Sequence, residues 1–162
     1  MRVYAIDKKN EREMFERRLN YNFRLVYQIG CATGLRVTDI LCMEKKILEK
    51  KEPTIREKKT GKSKRIYIPK KLKDELIEFS KDNDKYIFES KASKTGHITR
   101  QAVWKHYKKV AKAMNIQINI GTHTMRKNKV YQLMQKGKSL KYIKNELNHT
   151  NLSDTLLYMM NP

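Results

Sequence analysis

The sequence predicts an α+β chain that is mainly helical and carries one small antiparallel hairpin. Three observations predict it. Apolar residues recur at helical spacing through most of the 162 residues. Strand-like alternation is confined to residues 52–69. Helix-capping and helix-stopping residues punctuate the periodic segments.

Taken in order, residues 8–20 read as a polar helix with Met14, Phe15 and Leu19 on its apolar side. Residues 22–33 are richer in apolar groups (Phe23, Leu25, Val26, Ile29) and read as a buried helix that Gly34 breaks. A helical pattern resumes over 36–43. Thr54-Ile55-Arg56 and Arg65-Ile66-Tyr67-Ile68 alternate around a turn, Lys59-Thr60-Gly61-Lys62, which predicts a hairpin ended by Pro69. Residues 70–80 form an amphipathic helix, and 86–88 a short strand. Thr99 is an expected N-cap for a helix running to about Met114. Thr122 is expected to cap a helix over 123–136 that Gly137 stops. Ser139 should cap a helix over 140–148, and Leu152 to Met160 form a last one. No internal repeat, low-complexity stretch or linker divides the chain, so a single domain over 1–162 is expected.

Composition narrows the classes of function. The chain has 37 Lys and Arg against 17 Asp and Glu, a formal net charge of +20. Such an excess favours a polyanionic partner, most simply nucleic acid. Lysine makes up 27 of the basic residues, and coding bias also enriches lysine, so charge alone names no reaction. Acids are scarce toward the end: residues 101–162 hold 11 basic side chains and only Glu146 and Asp154. No apolar stretch approaches the ~20 residues that span a bilayer, and the charged N-terminus lacks a secretory apolar region, so a cytoplasmic location without membrane association is expected. Cys31 and Cys42 show no metal spacing and read as buried small residues. The four histidines are scattered, so no metal site is expected.

Candidate chemistry lies in two stretches. His123 and Arg126 stand three apart at a helix start, where a helix N-terminus favours anions. His149 follows in a turn, and Tyr158 lies nine residues later. Singly, these are a capping His, a solvated Arg and a core Tyr; together, in a basic segment, they suit phosphate chemistry. The other stretch is ATGLRVTD, residues 32–39. Arg36 follows a Gly-Leu break in an apolar region, and a buried Arg needs an anion, either Asp39 at i+3 or a bound phosphate.

These segments, in this order, resemble the tyrosine recombinase (phage integrase) family along nearly the whole chain. ATGLRVTDIL is similar to its first arginine motif, with Arg36 in the catalytic place and Asp39 as supporting acid. KKTGKSKRIYIP resembles the hairpin bearing the catalytic lysine, with Lys59 the best fit. HTMR resembles His-x-x-Arg, giving His123 and Arg126. ELNH resembles Leu-Gly-His, giving His149, with Asn148 in place of glycine. TLLYM puts Tyr158 at the nucleophile position.

The resemblance implies the catalytic domain of a site-specific recombinase. It would cut and rejoin double-stranded DNA through a 3′-phosphotyrosine, with no nucleotide or metal, in company with further subunits. Lys58, Lys62, Lys64, Arg65 and Lys127 are the expected DNA contacts. The family's N-terminal core-binding domain and its longer C-terminal segment have no counterpart in these 162 residues. An idle DNA-binding regulator and a type IB topoisomerase are the alternative expectations.

Overall fold

The structure, a computed structural model, describes residues 2–160. Its elements are α1 (Lys9–Arg18), α2 (Tyr21–Thr33), α3 (Val37–Leu41), a 3-10 turn (Lys45–Glu49), β1 (Thr54–Arg56), β2 (Ser63–Arg65), α4 (Lys70–Phe79), α5 (Arg100–Ala113), α6 (Thr124–Gln135), α7 (Leu140–Glu146) and α8 (Leu152–Met159). The expected mainly helical α+β architecture is what forms. β1 and β2 pair antiparallel, with Ile55 opposite Lys64.

The centre is α2 packed on α6. Leu25, Val26, Tyr27 and Ile29 of α2 are buried, and Gly30 lets the α6 residue Met125 approach closely; a Cβ there would lie 2.1 Å from the Met125 sulfur. Phe15, Tyr27 and Tyr107 form a tilted and edge-on aromatic cluster that ties α1 and α5 to this pair. A smaller cluster of Val130, Leu133, Ile143 and Leu147 seats α7, with Tyr158 and Met159 of α8 packed against it.

Local signals set most boundaries. Thr99 accepts from the Ala102 N–H and Ser139 from the Tyr142 N–H, as N-caps should. Gly34 (φ 67°) closes α2, and Gly137 (φ 68°) follows α6. Asn148 sits at φ 57°, so the turn before His149 keeps the left-handed backbone that Asn tolerates.

Several expectations are corrected. Thr122 does not cap α6; His123 occupies that position without a side-chain cap, and Thr124 Oγ1 instead accepts from the Gly121 N–H. The second strand is Ser63–Arg65, not 65–68, because Ile66 leaves the ladder with one bond to the Pro53 carbonyl. Residues 86–88 make only an isolated bridge, Glu44 to Tyr86. The helix expected over 36–43 is trimmed to five residues. Cys31 and Cys42 are half-buried rather than buried.

Candidate active site

Arg36 is delivered by the break that ends α2. Gly34 turns the chain, Leu35 is buried, and Arg36 starts α3 from an extended backbone. Its guanidinium donates to Glu57 Oε2 at 3.1 Å, and the Arg36 side chain is only 15% exposed. Asp39, expected as its acid, instead accepts the Lys58 backbone N–H at 2.9 Å and so fixes the hairpin one residue before Lys59. Burial raises the Asp39 pKa, and the Lys58 N–H opposes that rise.

Glu57 was not expected. It is fully buried. The same Oε2 accepts from Thr60 Oγ1 at 2.8 Å, so one carboxylate holds Arg36 and the hairpin turn together. A signal existed: the alternation of β1 carried one residue past its end puts Glu57 on the inward side with Ile55, while Thr54 and Arg56 face out.

Arg126 is the largest fully buried side chain. It donates to the Gly34 and Leu147 carbonyls, and at 2.8 Å to His149 Nε2. Its guanidinium carbon lies 5.3 Å from the centre of the Tyr158 ring, a cation–π distance. Arg126 Nε is buried without a protein hydrogen-bond partner. Burial disfavours its charge, and the Tyr158 hydroxyl opposes that effect.

The histidine tautomers follow from these donors. A guanidinium only donates, so His149 Nε2 is an acceptor and the proton sits on Nδ1, 3.0 Å from Thr155 Oγ1. Burial, then Arg126, pushes His149 down to about 4. His123 is held below its ordinary value by burial and by Arg126, Arg100, Arg36 and Lys59. A neutral His123 offers Nδ1 as an acceptor, and the Tyr158 hydroxyl stands 2.9 Å from it.

One cleft of about 390 Å³ collects these groups; Arg36, Lys59, His123, His149 and Tyr158 all line it. Arg126 lies beneath rather than in the wall. Arg100, at the first turn of α5, adds a cation that sequence reasoning missed. The five wall residues come from five separate places in the chain, and α6 and α8 bring the nucleophile candidate to its base.

The expected DNA contacts divide. Lys58 and Arg65 are exposed, and Lys62 is half-buried with its ammonium 2.8 Å from Thr150 Oγ1. Lys64 and Lys127 are corrected. Lys64 points inward from β2 and donates to the Thr33 carbonyl at 2.7 Å; burial, then Arg126, lowers it to about 8. Lys127 is 5% exposed. Its ammonium donates to the Leu157 and Met160 carbonyls at 3.3 and 2.8 Å, so it clamps the end of α8. Among the described residues no group of three or more His, Cys, Asp or Glu could hold a metal ion, and no helix is long and apolar enough to cross a membrane.

Known proteins resemble this chain in sequence and fold. The model of the Phage integrase family matches residues 5–161. The chain is 29% identical over 160 residues to "Probable integrase/recombinase YoeC" of Bacillus subtilis, covering 97% of this chain and 87% of that protein. It is 29% identical over 145 residues to "Tyrosine recombinase XerA" of Pyrococcus horikoshii, of which it spans 50%. Among solved structures, XerA recombinase superposes with a TM-score of 0.79 at 14% identity, covering 100% of this chain and 60% of that one. A lambda integrase(75-356) dimer bound to a COC' core site gives 0.79 at 17%, covering 98% and 59%. The fold is therefore theirs.

Proposed function

Because the chain belongs to the phage integrase family, we propose that it cleaves and rejoins double-stranded DNA through a 3′-phosphotyrosine on Tyr158, as a tyrosine-type site-specific recombinase. The observation that carries the reading is the 2.9 Å contact from the Tyr158 hydroxyl to His123 Nδ1 inside a cation-lined cleft.

The reaction assigns each group one task. The Tyr158 oxygen attacks a backbone phosphorus, the new O–P bond forms, and the bond to the 5′-oxygen breaks. His123 takes the phenolic proton. That matters because a free tyrosine with pKa ~10 is ionised in only about one molecule in a thousand at pH 7. Lys59 protonates the leaving 5′-oxygen. Arg36 holds the non-bridging oxygens with a planar fork that lysine cannot imitate. Arg126 supplies positive potential from below. Its direct fork on phosphate requires exchanging a protein acceptor for a phosphate oxygen. An arriving phosphate also favours protonation of His149, which then donates to it rather than accepting from Arg126. Reversal by a 5′-hydroxyl rejoins the strand, and bond energy kept in the phosphotyrosine removes any need for a nucleotide cofactor.

Lys58, Lys62 and Arg65 flank the cleft-bearing hairpin as phosphate contacts, whose loss weakens binding and flattens its salt dependence. A lambda integrase tetramer is known bound to a Holliday junction; by analogy further subunits join this chain on DNA. The reading places the protein in the cytoplasm, acts through residues 1–162 as one catalytic domain, and makes no use of a membrane.

The test is covalent trapping. The protein is mixed with nicked suicide duplexes drawn from a sequence pool and then denatured, beside Tyr158→Phe. A detergent-stable DNA adduct that vanishes in the variant is expected. DNA binding by both proteins without any adduct sinks the enzyme reading in favour of a binding module.

A further inference from the structure

A second reactive cluster lies outside this cleft, around Cys42. The Cys42 sulfur is 3.3 Å from His97 Nε2. His97 Nδ1 is 2.8 Å from the Ile98 carbonyl, which only accepts, so Nδ1 carries the proton and Nε2 is bare. A thiol, a base within reach and a third group orienting that base are the elements of an activated nucleophile. The edge-on Tyr86 ring, centred 5.2 Å away, keeps the imidazole in place.

The surroundings point to a ligand. Cys42 borders a cleft of about 330 Å³ whose rim carries Lys46, Lys50, Arg56 and Lys58, with Asp39 at its wall. Glu44 pairs with Lys46, yet cations still dominate the rim. Lys58 lines the same cleft as Cys42. Asp39 is 5% exposed and its Oδ2 has no hydrogen-bond partner; an amide or ammonium N–H of a ligand would satisfy it. Cys31 differs: burial pushes its thiol up to about 12, and its contact is the Asn128 amide at 3.9 Å.

We propose that Cys42, with His97 as its base, is a thiol–disulfide exchange site for a small anionic, peptide-like disulfide of the glutathione class. The Cys42 sulfur attacks one sulfur of the disulfide as His97 Nε2 takes the thiol proton. The S–S bond breaks, the departing sulfur keeps the electron pair, and it receives the proton from His97. The products are a Cys42 mixed disulfide and one free thiol; a second thiol reverses the step. The disulfide itself is the only oxidant. The site adjoins the DNA cleft by sequence: Asp39 and Lys58 line this cleft, Thr38 and Lys59 the other. An adduct is therefore set against the wall that carries Lys59.

The test follows intact mass of the folded full chain with oxidised glutathione, with 2-hydroxyethyl disulfide as an uncharged probe. Cys42 is expected to form its adduct at least tenfold faster than Cys31, and severalfold faster with the anionic probe. His97→Gln, which keeps reach but not basicity, should lose tenfold or more, since a positioned base typically contributes ~10²–10⁴-fold. An unchanged rate in His97→Gln, or a Cys42 no faster folded than in urea, overturns the site. Equal rates for the two probes overturn the anion preference. These arms read sulfur chemistry alone. A last arm rests on the strand-transfer reading: the Cys42 adduct should lower DNA trapping and dithiothreitol restore it, against unmodified protein as control. Undiminished trapping by fully modified protein overturns the coupling while the exchange rates stand.

Discussion

Removing the charge of Glu57 should cost both stability and strand cleavage, because that carboxylate braces Arg36 and the hairpin turn from one buried point. At 3.1 Å and an effective dielectric near 20 the Arg36 attraction is ~5 kcal/mol, most of it offset by desolvation. In Glu57→Gln the amide oxygen still accepts from Arg36 and Thr60, and the new NH2 falls where Oε1 has no partner. Only the charge is lost, so the expected cost is ~1.5–3 kcal/mol, the scale of a hydrogen bond to a charged group. Glu57→Ala strands the Arg36 charge and should cost ~3–5 kcal/mol. Urea denaturation reads this directly. With a slope near ~2 kcal/mol/M, Glu57→Gln should lower the midpoint by about 1 M. Single-turnover trapping of nicked duplexes should fall roughly 10²-fold as Arg36 loses its aim. A Glu57→Gln protein with an unshifted midpoint and parental trapping would refute the bracing argument.

Three further outcomes follow from contacts already described. Lys127→Met should slow trapping of bound DNA tenfold or more yet leave affinity and its salt slope unchanged; weaker binding with normal trapping would mean that Lys127 meets phosphate after all. His149 is held down to about 4 against an unfolded value of ~6.5, so as pH falls from 6.5 toward 4 the unfolded chain takes a proton that the folded chain refuses, and stability drops. Solvent screening of this half-buried ring reduces the loss to ~1–2 kcal/mol; urea midpoints at pH 7 and 4.5 should diverge less in His149→Gln, and an equal divergence would exclude His149 as the group responsible. Gly30→Ala presses a methyl to within 2.1 Å of the Met125 sulfur and 3.0 Å of its Cβ, so thermal melting should show a loss of ~1–3 kcal/mol, and an unchanged melting temperature would show that Met125 yields freely.

The helices were legible because their signals are local. Apolar spacing, Thr99 and Ser139 as caps, and Gly34 and Gly137 as stops act within one or two turns of chain. Arg36, His123 and His149 could be singled out beside a break, a helix start and a turn, Lys59 and Tyr158 through the resemblance of ordered motifs, and the structure sets all five around one cleft. What stayed hidden depends on pairing across distance. Arg36 and Glu57 are 21 residues apart, and nothing near Arg36 distinguishes Glu57 from the nearer Asp39. Lys64 and Lys127 looked like surface cations because lysine normally is one. Their inward turn depends on the Thr33, Leu157 and Met160 carbonyls, whose unspent acceptor capacity is a tertiary fact. Arg126 stands in the sequence as the arginine of a His-x-x-Arg motif, and nothing there shows that the carbonyls of Gly34 and Leu147 draw it beneath the cleft.

The Tyr158 hydroxyl meets the His123 ring of its own chain, and Arg36 and Lys59 beside them belong to that chain as well. Under strand transfer, reactive centres are then inherited one per copy rather than shared between neighbours. In a mixed assembly a copy lacking Arg36 and a copy lacking Tyr158 cannot lend each other the missing part, so defects subtract from the whole in proportion to their number.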